Sequence, residues 1–146
     1  MQTINNNIEE TRIGFDNAKL LKEKGFKVYG YKFYTPNGKK EPYITHGIEY
    51  MSDAKCKADW NTLVPYPNKE KDVLCSAPTQ QLAIDWIRVN FNIHIFVEPM
   101  CLVKLNPTTT YYYTIIGYNK ISSEYYDKIE EAIEAAITDV LTNKIK

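Results

Sequence analysis

Apolar residues at Ile129, Ala132, Ile133, Ala136, Ile137, Val140 and Leu141 recur at the three- and four-residue spacing that an α-helix turns to one side. Glu130, Glu131, Glu134 and Asp139 fill the other side, so the predicted helix has one stripe that a neighbour must cover and an acidic side that reads as a solvated face. Asp127, followed three residues later by Glu130, has the spacing of a capping box, in which the two side chains satisfy each other's orphan backbone donors. Acidic residues in the first turns, with Lys144 and Lys146 at the end, suit the helix dipole.

The preceding segments supply what that stripe would cover. Pro78 and Thr79 open a second helix running to about Phe91, with apolar Leu82, Ala83, Trp86, Ile87 and Val89 to Phe91 on more than one face, which predicts heavy burial. Ile93 to Pro99 alternates Ile93, Ile95 and Val97 against His94, Phe96 and Glu98, the pattern of a strand with one apolar face. Asn106-Pro107 marks a return, and Thr109 to Tyr118 reads as the partner strand. Nearer the start, Asp16 is positioned to cap a short helix that Gly25 ends. Lys27 to Thr35, the turn Pro36-Asn37-Gly38 and Tyr43 to Tyr50 then read as a first hairpin.

From Met51 to Ser76 the periodicity fails, and a segment this long either serves a function or hides a short element. Asp59 to Leu63 fits one helical turn or a plug over the core, with Trp60 in a packing role. The expected fold is therefore α+β, in the order α-ββ-loop-α-ββ-α. One antiparallel sheet of about four strands, built from two hairpins, would carry helices on one face. Residues 1–14 are expected to form a loose N-terminal segment and 15–146 a single domain.

A chain of 146 residues suits one domain that buries roughly two thirds of its unfolded surface. With 44% hydrophobic and 25% charged residues, neither a disordered nor a membrane class is favoured. The apolar runs are too short to span a bilayer, and the start MQTINNNIEETR lacks the basic and apolar regions of a secretory signal, so a cytoplasmic setting without membrane partners is expected. Three cysteines without framework spacing fit reduced thiols. Eighteen basic and eighteen acidic residues cancel, and no basic stripe stands out of the kind that phosphate neutralisation needs, which speaks against nucleic acid as a partner.

The motifs of established chemistries are missing: the sequence has no glycine-rich phosphate loop, no paired-cysteine metal motif and no serine elbow. No cofactor and no metal are expected, because Cys56, Cys75, Cys101, His46 and His94 occur singly where structural zinc sites present close pairs. Cys101 with His94 is the one nucleophile-base pairing to test, although Cys101 among Met100, Leu102 and Val103 has the ordinary role of a small buried hydrophobe. Tyrosine is the compositional outlier with twelve copies, and Tyr111 to Tyr113 with Tyr125 and Tyr126 are the residues that would stack bases. The candidate binding residues are His94, Phe96 and Glu98, which share one strand face, with Tyr111 and Tyr113 from the strand opposite.

The segments FDNAKLLKEKGF, SAPTQQLAIDWIRVNFNIHIFV and YYDKIEEAIEAAITDVL carry a resemblance. In their order they resemble a family of small uncharacterised proteins of phages, prophages and mobile elements of gut Bacteroidetes. The matching blocks are Ala18 to Phe26, Ala77 to Ile95 and Tyr126 to Ala135, under half of the chain. The resemblance implies a mobile-element setting inside a host cell and brings no catalytic residue with it. The expectation is a non-catalytic binding or regulatory module acting through protein contacts, its partner a host or phage protein or a second copy of itself. The alternatives are a small enzyme with its site between loop 51–76 and hairpin 93–118, and a single-stranded nucleic-acid binder using the tyrosine-rich strands.

Overall fold

The computed structural model describes residues 10–37, 40–48, 55–62, 64, 65, 67, 68, 73–102, 108–117 and 119–145. Residues 1–9, Gly38 of the expected first turn, Tyr50, residues 51–54, 63, 66 and 69–72 of the long segment, the Asn106-Pro107 return and Tyr118 lie outside them. Three helices, α1 (Phe15–Glu23), α2 (Gln80–Phe91) and α3 (Ile129–Asn143), alternate with two long hairpins, β1 (Lys32–Asn37) with β2 (Lys40–Ile48) and β5 (His94–Leu102) with β6 (Thr108–Ile116). Two-residue strands β3 (Lys55–Cys56), β4 (Cys75–Ser76) and β7 (Lys120–Ile121) complete an α+β domain in the expected order of helices and hairpins.

The strands form two antiparallel sheets, β3-β2-β1-β4 and β5-β6-β7, where the sequence suggests one sheet of about four strands. Short strands from the long segment flank the first hairpin instead. β4 pairs with β1 through Phe33 with Ser76 and Tyr34 with Cys75, and β3 pairs with β2 at Gly47 and Ile48. The long segment thus hides two short strands, each of which covers part of an edge that would otherwise present unpaired backbone groups there.

Each helix end has a local cause, and two differ from the sequence expectation. Thr79 caps α2 by accepting from the Leu82 N–H at 3.1 Å, and Asn92 ends the helix in the left-handed region at φ 54°. Gly25, at φ 86°, ends α1 in a Schellman pattern, its N–H bonding the Lys22 carbonyl while the Phe26 N–H bonds that of Leu21. Asp16, expected to cap α1, lies inside the first turn and pairs with Lys19; the N-cap is Gly14. Likewise α3 starts after Lys128, which places Asp127 one residue too early for the expected capping box.

One apolar cluster joins all three helices to both sheets. α3 supplies Ala136, Ile137, Val140 and Leu141, each fully buried, and packs on β5 and β6 while also touching α1 and α2. α2 is less buried than its apolar surface predicts: only Gln80, Ala83 and Ile87 are buried, and Val89 points outward at 72% exposure. Of the expected loose segment, residues 10–14 are described, and Ile13 among them is fully buried, with its carbonyl accepting from the Tyr34 hydroxyl at 2.7 Å.

A second, smaller cluster lies on the other face of the first sheet, where Trp60 packs on Phe33 with ring centroids 4.6 Å apart. The indole N–H donates to the Gly30 carbonyl at 2.6 Å, which confirms Trp60 as packing and the Asp59 turn as a plug. A β-carbon at Gly47 would overlap the Trp60 ring and crowd the Cys56 carbonyl, whereas one at Gly30 would meet nothing within 4 Å. Gly47→Ala is therefore expected to destabilise the fold by about 1–3 kcal/mol, as overpacked cores do, with Gly30→Ala within about 1 kcal/mol of wild type. Urea denaturation of both variants checks this, and equal midpoints would contradict it.

Candidate functional site

The register of the second sheet decides which sequence candidates share a surface. β5 pairs β6 as His94 with Ile116, Phe96 with Thr114, Glu98 with Tyr112 and Met100 with Thr110, so even-numbered residues occupy one face and odd-numbered residues the other. β7 continues the even face through Ile121, the partner of Thr114. The odd face, with Ile95, Tyr113 and Ile115 buried, lies against α3 and belongs to the main core. The even face points away from it.

His94, Phe96 and Glu98 are thus brought together, whereas Tyr111 and Tyr113 stand on the opposite face. Tyr113 is 6% exposed and its hydroxyl donates to Asp139 at 3.0 Å. Tyr111 exchanges backbone hydrogen bonds with Tyr126, both at 2.8 Å. These two tyrosines anchor structure. The ring that does face the candidates is Tyr112, whose hydroxyl donates to the Glu98 carboxylate, a bond that raises its pKa above the usual tyrosine value.

Around this strip the even face is apolar and open. Phe96 is 47% exposed, Ile116 50%, Ile121 65% and Tyr125 60%. Phe96 stacks on His94 at 6.4 Å with their rings within 6° of parallel, and Tyr125 meets Tyr112 edge-on at 6.4 Å. Sequence reasoning missed Ile116 and Ile121 and named Tyr112 and Tyr125 only as base-stacking residues, because alternation alone gives each strand two faces without saying which pairs with which. Glu98 and His94 are the only ionisable groups besides tyrosine on the face among the described residues.

The pairings of His94 with Cys101 or Glu98 that the catalytic alternative invokes do not assemble. His94 and Cys101 are seven residues apart on one extended strand, about 23 Å, and the His94 and Glu98 backbones are about 13 Å apart, both far beyond hydrogen-bond reach. Among the described residues no three of His, Cys, Asp and Glu gather as a metal ion requires. Cys75 is buried on β4, and burial pushes its thiol up to about 11, against the opposing pull of Lys22 and Lys19. No helix among the described residues is long and apolar enough to cross a membrane.

A separate cleft of about 350 Å³ lies between residues 28–32, Ser76 and the start of α2, and none of its lining comes from hairpin 93–118. Its charged groups, Glu10, Arg12, Lys32, Lys57 and Asp85, are of both signs, so it has no single electrostatic preference. Ser76 lines it with a buried hydroxyl that has no hydrogen-bond partner among the described residues. Comparison of the chain with protein-family models, with curated proteins and with solved structures returned no match.

The support beneath the face can be tested through Asp139. Burial alone would raise its pKa, but hydrogen bonds from Lys120, Asn143 and Tyr113, with the Lys120 charge 2.5 Å away, hold it below the usual carboxylate value. A carboxyl depressed in the folded state adds stability above the unfolded pKa, about 3.9, and loses it as pH falls through the folded value. Asp139→Asn removes that contribution. The stability gap between wild type and this variant is expected to close as pH falls below about 4; a gap unchanged between pH 7 and pH 3 in denaturant titrations would contradict the assignment.

Proposed function

We propose that this chain is a non-catalytic binding or regulatory module that acts through protein contacts, with the outward face of the β5-β6-β7 sheet as its contact surface. One observation carries the reading: a sheet whose inner face already completes the core still presents Phe96, Ile116, Ile121 and Tyr125 to solvent, each at least 47% exposed. Contiguous exposed apolar surface rimmed by polar groups marks contact sites, and aromatic residues dominate contact energetics. The resemblance of the three sequence blocks supports a phage or mobile-element setting for that contact, inside a host cell.

The same face argues against the nucleic-acid alternative. Its rings suit stacking, but among the described residues it holds no lysine or arginine, and Lys120 is turned inward to Asp139. Stacking without a cationic groove leaves the phosphates uncompensated.

A photoreactive benzophenone side chain placed at position 96, with the same probe at Tyr29, which lies outside this sheet and is 62% exposed, as control, tests the reading in host cells. We expect a protein adduct at position 96 that is lacking at position 29. No adduct at 96, or the same adducts at both positions, would refute a contact role for this face.

A further inference from the structure

We infer that the cleft between residues 28–32 and α2 binds a short zwitterionic ligand, a linear peptide of two or three residues with apolar side chains and both termini charged. The site lies apart from the β5-β6-β7 face and does not depend on what that face binds. At about 350 Å³ the cleft falls at the small end of the range for small-molecule sites. Ser76 adds a buried hydroxyl for which the described residues supply no partner, although buried polar groups are almost always satisfied.

Two contacts fix how the walls of the cleft run. The Lys32 carbonyl accepts the Ala77 N–H at 3.0 Å, and the Phe26 ring meets Trp86 edge-on at 5.3 Å. The segment from Phe26 to Lys32 therefore runs opposite in direction to the stretch from Ala77 to Trp86, with Val28 and Leu82 between the two contacts.

This arrangement sorts the lining by chemistry. At the Ala77 end stand two half-buried cations, Arg12 and Lys32, and the Arg12 guanidinium is held on the wall by donating to the Ala77 carbonyl at 2.6 Å. The positive end of the α2 dipole, at Pro78 and Thr79, adds to them. The middle is apolar, with Phe26 buried and Val28 and Leu82 half-buried. Beyond Leu82, the half-buried Asp85 supplies a carboxylate. Arg88 engages its Oδ1 at 3.2 Å, an exposed pair of the weakly held kind, and Oδ2 has no partner among the described residues. Glu10 and Lys57 also line the cleft, but they are exposed, screened by water and salt, and opposite in sign.

Length then selects the ligand. From Thr79 to Asp85 the helix rises about 9 Å. An extended residue spans about 3.5 Å, so a single amino acid falls short, whereas the termini of a tripeptide stand about 10 Å apart. Its carboxylate meets Arg12 and Lys32, its side chains meet the apolar middle, and its ammonium meets Asp85. A ligand with one charge would leave one end of the cleft unanswered.

Amide NMR spectra of the full chain, titrated with the tripeptide Ala-Leu-Ala up to about 10 mM, test the site. We expect saturable shifts centred on residues 28–32 and 76–85, with a dissociation constant on the order of 0.1–1 mM. The same peptide acetylated at its amino end and amidated at its carboxyl end should bind at least about tenfold more weakly. Asp85→Asn should weaken the free peptide by about fivefold or more and leave binding of the N-acetylated peptide unchanged. Lys32→Gln should likewise weaken the free peptide and leave the C-amidated one unchanged. The spectra themselves report whether each variant is folded. No saturable shift in the wild type, equal binding of free and doubly blocked peptides, or folded variants that bind the free peptide as the wild type does would each overturn the proposal. The comparison of free and blocked peptides needs only the wild type, so it decides the matter even where a variant fails to fold.

Discussion

The Glu134 carboxylate sits where all three helices meet. One oxygen accepts the Gly14 N–H at 2.6 Å and the Asn17 side-chain amide at 2.8 Å, and the other accepts from Gln80 at 3.1 Å. Gly14 is the N-cap of α1, and α3 supplies from 120 residues away the acceptor for its N–H that the N3 glutamate of a capping box would supply locally. The carboxylate also lies at the positive end of the α1 dipole. Asn17, itself buried, closes the joint by bonding the Glu134 carbonyl at 3.0 Å and accepting from Thr138 at 2.9 Å. The apolar stripe of α3 makes it adhere to the sheets, but this polar joint fixes its rotation and its height relative to α1 and α2.

That placement determines what the second sheet shows to solvent. With α3 held, Ile137, Val140 and Leu141 cover the odd face of β5 and β6, and Asp139, one turn beyond Glu134, reaches Tyr113, Lys120 and Asn143 to pin both β6 and β7. The inner face is then complete. Among the described residues no helix covers the even side, and its apolar side chains stay open to solvent. Core and open face are thus two sides of one alternation, with the helix joint deciding which side is which.

The sequence made legible whatever depends on local period. The stripe of α3, the Thr79 cap of α2, the left-handed Gly25 and the split of His94, Phe96 and Glu98 from Ile95 and Val97 are all written in spacing. What depends on pairing was not legible. Tyr111 and Tyr113 were grouped with His94, although the even register places Tyr112 there. The acidic side of α3 was taken as solvated, yet Glu134 and Asp139 are the helix's polar anchors, since partners 26 residues away for Asp139 and up to 120 for Glu134 leave no trace in a carboxylate's neighbours. The dipeptides Lys55–Cys56 and Cys75–Ser76, which pair with part of each edge of the first hairpin, are too short to show any period.

The central claim is that Glu134 and Asn17 act as one joint that positions α3, and a double-mutant cycle measures it directly. Stabilities of wild type, Asn17→Ala, Glu134→Ala and the double variant are compared by urea denaturation. The account predicts a coupling energy on the order of 1 kcal/mol or more, because either single change already breaks the shared bonds. Strict additivity, with each substitution costing the same whether or not the other is present, would contradict it.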